Sequence, residues 1–241
     1  MTRFSFFQPG RDLPRLLTAA RNELGAVAAL LVLAGGALAF LDLSEDVAEG
    51  DTTAFDLAVL KALRLPGDPN SLVGPRWLHL AAVDVTALGS VTVLGLIVTL
   101  AVAFLASLKR WSEALLVLVG AGGGVAISQG LKQLFGRARP DLAYRAVEAA
   151  NPSFPSGHAM LSAVVFLTLG ALAARFSDLR RIKALALGAA VLLSLLVGAS
   201  RIYLGVHWTS DVLAGWSLGA AWAMACWMAA WWWERRSGRS V

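Results

Sequence analysis

The chain has 241 residues, of which 57% are hydrophobic and only 15% are charged. A soluble globular domain carries about 25% charged residues, so this composition excludes an ordinary soluble protein and favours a membrane protein. The formal net charge of +5 does not indicate a nucleic-acid partner, because apolar segments separate the basic residues. The single cysteine, Cys226, rules out a disulfide bond within the chain.

The N-terminal region combines basic residues with a long apolar segment. Four arginines lie within residues 1–23: Arg3, Arg11, Arg15 and Arg21. The apolar segment that follows is longer than that of a secretory signal, and no Ala-x-Ala-like cleavage site stands at its end. The pattern therefore predicts an uncleaved first membrane span.

Six apolar segments approach the length of about 20 residues that a helix needs to cross a bilayer. They cover residues 24–41, 88–108, 114–131, 159–175, 184–200 and 212–233. The sequence does not fix where the second segment begins, because residues 77–88 are also fairly apolar and would extend this segment towards the N-terminus. No repeat or low-complexity region interrupts the chain, so we predict an all-α integral membrane protein with a single domain over residues 1–241.

The basic residues also predict an orientation. With the N-terminus in the cytoplasm, most of the 21 Lys and Arg residues fall in cytoplasmic segments, as the positive-inside rule requires. Acidic residues instead crowd the first outer loop, residues 42–76. Because six is an even number of spans, both termini are predicted to be cytoplasmic.

The first outer loop contains a candidate short helix near residues 52–64, which Pro66 and Gly67 end. Its apolar side chains predict an amphipathic helix on the outer membrane surface. These side chains are Phe55, Leu57, Val59, Leu60 and Leu63. Two polar residues near the second span, His79 and Asp84, are better explained by ion pairing, headgroup contact or plain exposure than by catalysis.

A histidine and an aspartate stand four residues apart in the segment from Ser200 to Asp211 (SRIYLGVHWTSD). If this segment is helical, His207 and Asp211 share a face, and the carboxylate fixes the tautomer of the imidazole. This arrangement activates a nucleophile, and Arg201 stands nearby in the sequence. The alternative is a His–Asp pair that merely caps a helix.

The segment PSGH precedes the fourth span. Ser156 is a candidate helix cap, and Gly157 permits a close approach of the backbone. The free N–H groups of such a helix start suit a phosphate oxygen, and His158 in the first turn is placed to donate a proton. The alternative is a capped helix with an incidental histidine.

Basic residues recur in the segment from Lys132 to Pro140 (KQLFGRARP). Lys132 and Arg139 are suited to stabilising charge on phosphoryl oxygens. A cluster of this kind is more often a topology or headgroup signal, but the predicted orientation places this one outside. We expect Arg137 and Arg145 to widen a positive mouth. Four aromatic residues are candidates for the headgroup entrance: Tyr144, Phe154, Tyr203 and Trp208.

Together the patterns K-x6-R-P, P-S-G-H and S-R-x5-H-x3-D resemble the type 2 phosphatidic acid phosphatase family. The resemblance implies that His207 is the nucleophile that forms a phosphohistidine and that Asp211 orients it. It implies that His158 protonates the leaving oxygen and later activates water. The phosphoryl oxygens would be held by Lys132, Arg139, Ser156, Gly157 and Arg201.

The resemblance implies a metal-independent bacterial enzyme without a cofactor, with its site on the outer face of the inner membrane. The implied substrate is a lipid phosphate or pyrophosphate: undecaprenyl pyrophosphate, phosphatidylglycerol phosphate or phosphatidic acid. A lipid A 1-phosphatase of the same family is an alternative, and a non-catalytic lipid-binding or lipid-transport membrane protein is a rival of another class. Membrane lipids are the expected partners, and no obligatory protein partner is predicted.

Overall fold

Helices account for almost all of the regular structure. The computed structural model describes residues 9–236, with side chains from Gly25 onward. Within that range the helices are α1 (Pro9–Glu49), α2 (Thr53–Ala62), α3 (Arg76–Ala87), α4 (Val91–Ser107), α5 (Trp111–Phe135), α6 (Gly157–Arg175), α7 (Arg180–Tyr203) and α8 (Thr209–Arg236). A short 3₁₀ helix covers Leu142–Tyr144. The predicted all-α membrane architecture is confirmed.

Five of these helices are long and apolar enough to cross a membrane by themselves: α1, α5, α6, α7 and α8. The pair α3 and α4 makes a sixth span when it is counted as one, with a bend of 50° at the break. The break has a local cause, because Ser90 accepts a hydrogen bond from the Val93 N–H and so starts a new helix. Six spans therefore agree with the sequence, and the open start of the second is resolved as a separate helix.

Residues 42–76 contain more structure than the sequence indicates. The helix α1 continues to Glu49, past the predicted end of the span at residue 41. After α2, a small antiparallel hairpin pairs β1 (Arg64–Leu65) with β2 (Asp68–Leu72), with Arg64 opposite Leu72. The loop is thus folded over the end of the bundle.

The prediction for the exposed face of α2 was partly wrong. Leu60 was assigned to the membrane surface, but it is buried together with Thr52 and Asp56. These three residues are spaced at i, i+4 and i+8 and so share one face of the helix. That face is turned to the protein, whereas Phe55 is exposed.

The most buried span is α6, which packs against α7, α8 and α5. Its contact with α8 depends on glycines. A Cβ at Gly215 would lie 2.7 Å from the Ser156 carbonyl oxygen, and one at Gly219 would lie 2.6 Å from the Met160 carbonyl oxygen. Small residues thus let the two backbones approach closely.

Successive spans run in opposite directions, so the C-terminal ends of α5 and α7 meet the N-terminal ends of α6 and α8. The three sequence motifs lie at these four ends. Of the four N-terminal arginines of the orientation prediction, Arg3 lies outside the described residues, and no side chain is described for Arg11, Arg15 or Arg21. Residues 237–241 also lie outside the described residues.

Candidate active site

The turn before α8 positions His207. Gly205 has a φ of +70°, and a Cβ there would collide with the carbonyl group of Tyr144, so the turn requires glycine. The next two residues, Val206 and His207, are buried, and the side chain of His207 is only 2% exposed. The imidazole is therefore fixed in the protein interior at the end of the bundle.

A carboxylate orients this imidazole. His207 Nδ1 lies 3.2 Å from Asp211 Oδ2, which also accepts a hydrogen bond from the Trp208 N–H at 3.0 Å. Asp211 is fully buried, one helical turn beyond His207. With a proton on Nδ1 shared with Asp211, the lone pair of the ring lies on Nε2.

Arg139 faces that lone pair. Its Nη1 lies 3.1 Å from His207 Nε2 and donates to the Val206 carbonyl at 2.5 Å, while its Nε donates to the Asn151 carbonyl at 2.6 Å. These acceptors are neutral. The guanidinium is therefore held in place without a counter-charge that would compete with an anion.

Lys132 and Arg201 are held in the same way. Lys132 Nζ donates to the Pro152 carbonyl at 2.7 Å, and Arg201 Nη1 donates to the Thr86 hydroxyl at 2.9 Å. Both side chains are buried. Within residues 25–236, neither they nor Arg139 form a salt bridge with a carboxylate. The end of the bundle thus contains a buried concentration of positive charge, which suits a phosphoryl group.

The start of α6 lies against these cations. Ser156 Oγ accepts from the Ala159 N–H, and the Ser156 N–H donates to the Asp211 carbonyl at 2.9 Å. A Cβ at Gly157 would lie 3.7 Å from Lys132 Cε, so the helix start directly adjoins the lysine. The half-buried His158 follows beside Gly89, at the break between α3 and α4. The predicted site residues therefore gather at one end of the bundle.

Burial lowers the pKa of His207 well below its usual 6.5. The positive charges of Arg139, Arg201 and Lys132 act in the same direction, with a smaller contribution from His158. Each disfavours a second proton on the ring. The imidazole is therefore neutral at physiological pH, which is the form that can act as a nucleophile.

This pKa predicts how activity depends on pH. An ordinary imidazole loses its lone pair as the pH falls through 6.5, whereas His207 is expected to keep it well below that pH. The second ionisation of a phosphate monoester falls at about pH 6, so kcat/KM is first corrected for the fraction of substrate in each ionic form. We expect the corrected kcat/KM for a lipid phosphate to show no decrease between pH 7 and 6 that is due to protonation of His207. The same correction is made for the terminal ionisation of a pyrophosphate substrate. An acidic limb near pH 6.5 that remains in both substrates after correction would contradict the neutral imidazole.

The structure corrects the role expected for Arg137. Its Nη1 lies 2.7 Å from Asp211 Oδ1 and its Nη2 lies 2.8 Å from Asp56 Oδ2, so it pairs with two carboxylates and does not widen a positive mouth. Arg145 is half-buried, and its Nε donates to the Pro140 carbonyl. The sequence reasoning missed Asp56. The available signal was a lone acid between Thr52 and Leu60 on one helical face.

Among the aromatic residues expected at a headgroup entrance, Phe154 does not lie at the surface, whereas Tyr144, Tyr203 and Trp208 are partly exposed. Phe154 is fully buried and packs against Phe40 and Phe135. The Tyr203 hydroxyl donates to the Val73 carbonyl, and Trp208 Nε1 donates to the Ala138 carbonyl. For His79, the structure gives a ring contact with Tyr203 at 6.0 Å. In the part of the chain with described side chains, no group of three or more His, Cys, Asp or Glu is arranged to hold a metal ion.

A model of the PAP2 superfamily matches residues 113–235, which contain all three motifs. Phosphatidylglycerophosphatase B of Bacillus subtilis (strain 168) is 34% identical over 184 residues, or 76% of this chain and 86% of that protein. An undecaprenyl-diphosphatase of Sulfolobus acidocaldarius is 40% identical over 68 residues, or 28% of this chain and 29% of that protein.

A solved structure extends the similarity to the fold. The crystal structure of a transmembrane PAP2 type phosphatidylglycerolphosphate phosphatase from Bacillus subtilis superimposes with a TM-score of 0.75 and 28% identity. The match covers 88% of this chain and all of that one. The resemblance seen in the motifs is confirmed: the chain belongs to the PAP2 superfamily, as a multi-pass membrane phosphatase of that type.

Proposed function

We propose that the protein hydrolyses the phosphate ester or pyrophosphate of a membrane lipid, through a phosphohistidine at His207. One observation carries the proposal. A buried, neutral imidazole is bonded to Asp211 on one side, and its other nitrogen faces Arg139, at the edge of a group of cations without carboxylate partners. A nucleophile beside a site for an anion is the arrangement that phosphoryl transfer needs.

In the first step, the lone pair of His207 Nε2 attacks phosphorus, and the bond from phosphorus to the lipid or leaving phosphate oxygen breaks. His158 gives its proton to that departing oxygen. Asp211 stabilises the positive charge that develops on His207. The products of this step are the released lipid and a phosphohistidine.

In the second step, water attacks phosphorus and the bond from phosphorus to His207 Nε2 breaks. His158, which lost its proton in the first step, now accepts one from the water. Inorganic phosphate leaves, and both histidines regain their starting protonation. The proposal assigns the phosphoryl oxygens to Lys132, Arg139 and Arg201 in both steps, with help from the Ser156 hydroxyl and the Gly157 N–H.

This mechanism needs no metal ion, because the three cations supply the positive charge that a metal would otherwise bring. Metal independence is part of the proposal. Its supports are the buried Lys132 and Arg201, the half-buried Arg139, and the contacts of Asp211 with His207 and Arg137.

We propose phosphatidylglycerol phosphate as the first substrate to test. The support is the similarity to the Bacillus phosphatidylglycerophosphatase, which extends over 76% of this chain, whereas the match to the undecaprenyl-diphosphatase extends over 28%. Undecaprenyl pyrophosphate and phosphatidic acid are the other candidate substrates that the family resemblance of the motifs implies. Lipid A is the alternative substrate.

A substrate panel tests the proposal. Phosphate release by the purified protein in detergent is measured on these four lipids, with and without EDTA, and with vanadate as a phosphoryl mimic. We expect release from at least one lipid, inhibition by vanadate and no effect of EDTA. Binding without phosphate release would favour the non-catalytic lipid-binding or lipid-transport protein, and loss of activity in EDTA would contradict metal independence.

We also propose that the site faces the outside of a bacterial inner membrane, with both termini in the cytoplasm. The end of the bundle opposite the site carries the basic residues at the turns between spans. Lys109 and Arg110 follow α4, Arg175 and Arg180 flank the turn before α7, and Arg235 lies at the end of α8. The positive-inside rule supports a cytoplasmic location for that end.

A further inference from the structure

A second buried carboxylate lies next to the His207–Asp211 pair. It belongs to Asp56 of α2, a residue that is 1% exposed and lies outside the matched superfamily region. A buried carboxylate is costly unless all of its oxygens are hydrogen-bonded. Its partners therefore indicate why it is present.

Arg137 joins the two carboxylates. Its Nη1 donates to Asp211 Oδ1 at 2.7 Å and to the Ser210 hydroxyl at 2.8 Å. Its Nη2 donates to Asp56 Oδ2 at 2.8 Å and to the Thr52 hydroxyl at 3.1 Å. Both terminal nitrogens are thus occupied by protein groups. Arg137 is a bridge between α2 and α8 and is not available as a phosphate ligand.

Asp56 also fixes the start of α8. Its Oδ1 accepts from the Ser210 N–H at 2.9 Å, and its Oδ2 accepts from the Ser210 hydroxyl at 2.5 Å. The N–H groups of a first helical turn have no partner within their own helix. Asp56 supplies one from another helix, and so it caps the turn that carries Asp211.

The charges explain why a second acid is useful. Asp211 faces a strongly positive site, and Arg137 alone would add another cation directly on its Oδ1. Asp56 offsets that added charge, so that more of the negative charge of Asp211 remains for His207. The same contacts hold Oδ1 towards Arg137, which leaves Oδ2 directed at His207 Nδ1, 3.2 Å away.

We propose that Asp56 and Arg137 are positioning residues, which hold Asp211 in the orientation that prepares His207 for attack. The docking of α2 onto α8 then completes the active site. This inference rests on the proposed function, because it assigns a part in the same reaction.

The test compares Asp56→Asn with Asp51→Asn, the same chemical change at an exposed residue of the same outer segment. We expect Asp56→Asn to lower kcat about 10- to 100-fold, the range typical of residues that orient a catalytic group without touching the substrate, with KM changed by less than about threefold. Asp51→Asn is expected to match the parent protein. Arg137→Lys serves as the second variant, since it keeps the charge but not the planar bridge, and should show the same selective loss of kcat.

The double variant Asp56→Asn/Arg137→Lys distinguishes a shared role from two separate ones. We expect it to be little worse than the more affected single variant, because residues that act as one unit are not additive. Each kcat is divided by the fraction of protein that elutes as folded. Unchanged kcat in Asp56→Asn, a loss that disappears after this correction, or additive losses would each overturn the inference. Inactivity of the parent protein on every lipid would instead overturn the proposed function.

Discussion

Replacing His207 with Gln is expected to reduce phosphate release by about 10⁴-fold or more, the scale seen when a nucleophile is removed from an enzyme that works through a covalent intermediate. Gln fills part of the same space but cannot form the phosphorus–nitrogen bond. The cations remain, so the variant should still bind vanadate with an affinity within about tenfold of the parent. Phosphate release and vanadate protection against thermal unfolding measure the two effects separately.

His79→Gln is the matched control, because it makes the same change at a histidine whose described contact is a ring contact with Tyr203. We expect it to keep its activity within about threefold. Denaturation in alkaline detergent during turnover should trap labelled phosphate on the parent protein and not on His207→Gln, because the phosphorus–nitrogen bond of phosphohistidine survives base but not acid. Normal turnover by His207→Gln, or an equally labelled variant, would refute the assignment of the nucleophile.

Replacing His158 with Ala is expected to lower kcat by about 10²- to 10⁴-fold on a lipid phosphate, because an alkoxide is a poor leaving group without a proton donor. With an activated aryl phosphate, the rate of leaving-group release should fall much less, because the phenolate oxygen can depart without receiving a proton. The measurement is the initial burst of phenol and the steady rate that follows.

The two proposed roles of His158 give this variant a distinctive signature. The first step recovers with the aryl substrate, but the second still lacks its base, so phosphohistidine should accumulate and the burst should be followed by slow turnover. If the rate of leaving-group release in the first step falls by the same factor for alkyl and aryl substrates, the general-acid role is wrong. If no phosphoenzyme accumulates, the role in activating water is wrong.

That the three motifs lie close together could be predicted from the sequence, because it follows from the number and order of the membrane spans. Alternate spans run in opposite directions, so segments at the end of one span and the start of the next share one side of the membrane. The relation between His207 and Asp211 is likewise local, since four residues are about one helical turn. Structure adds the distances and shows which nitrogen of His207 faces Arg139.

Asp56 could not be recognised in this way. It lies about 80 residues from Arg137 and about 150 from Ser210 in the sequence, and the periodicity of α2 shows a face without showing what that face meets. The same limit explains the error at Leu60, because an apolar residue suits a lipid surface and a protein surface equally well.

The small hairpin was missed for a different reason. Pro66 and Gly67 correctly predict that the helix ends, but the strand pairing around them is too short for a periodic pattern. Arg64 at its start is buried, and its guanidinium bonds to the carbonyl oxygens of Tyr203 and Tyr144. Such contacts to distant backbone groups leave no pattern in the sequence.

The close backbone contact between α6 and α8 has a consequence for how this enzyme can diversify. His158 and Asp211 stand on helices whose spacing is set by Gly215 and Gly219 and not by large side chains. The outward faces of α1, α4 and α7 carry exposed apolar residues and take no part in the contact between α6 and α8. Substitutions there leave the spacing of α6 and α8 unchanged, and with it the separation of His158 and Asp211. The apolar outer surface can therefore change in sequence without moving the residues at the end of the bundle.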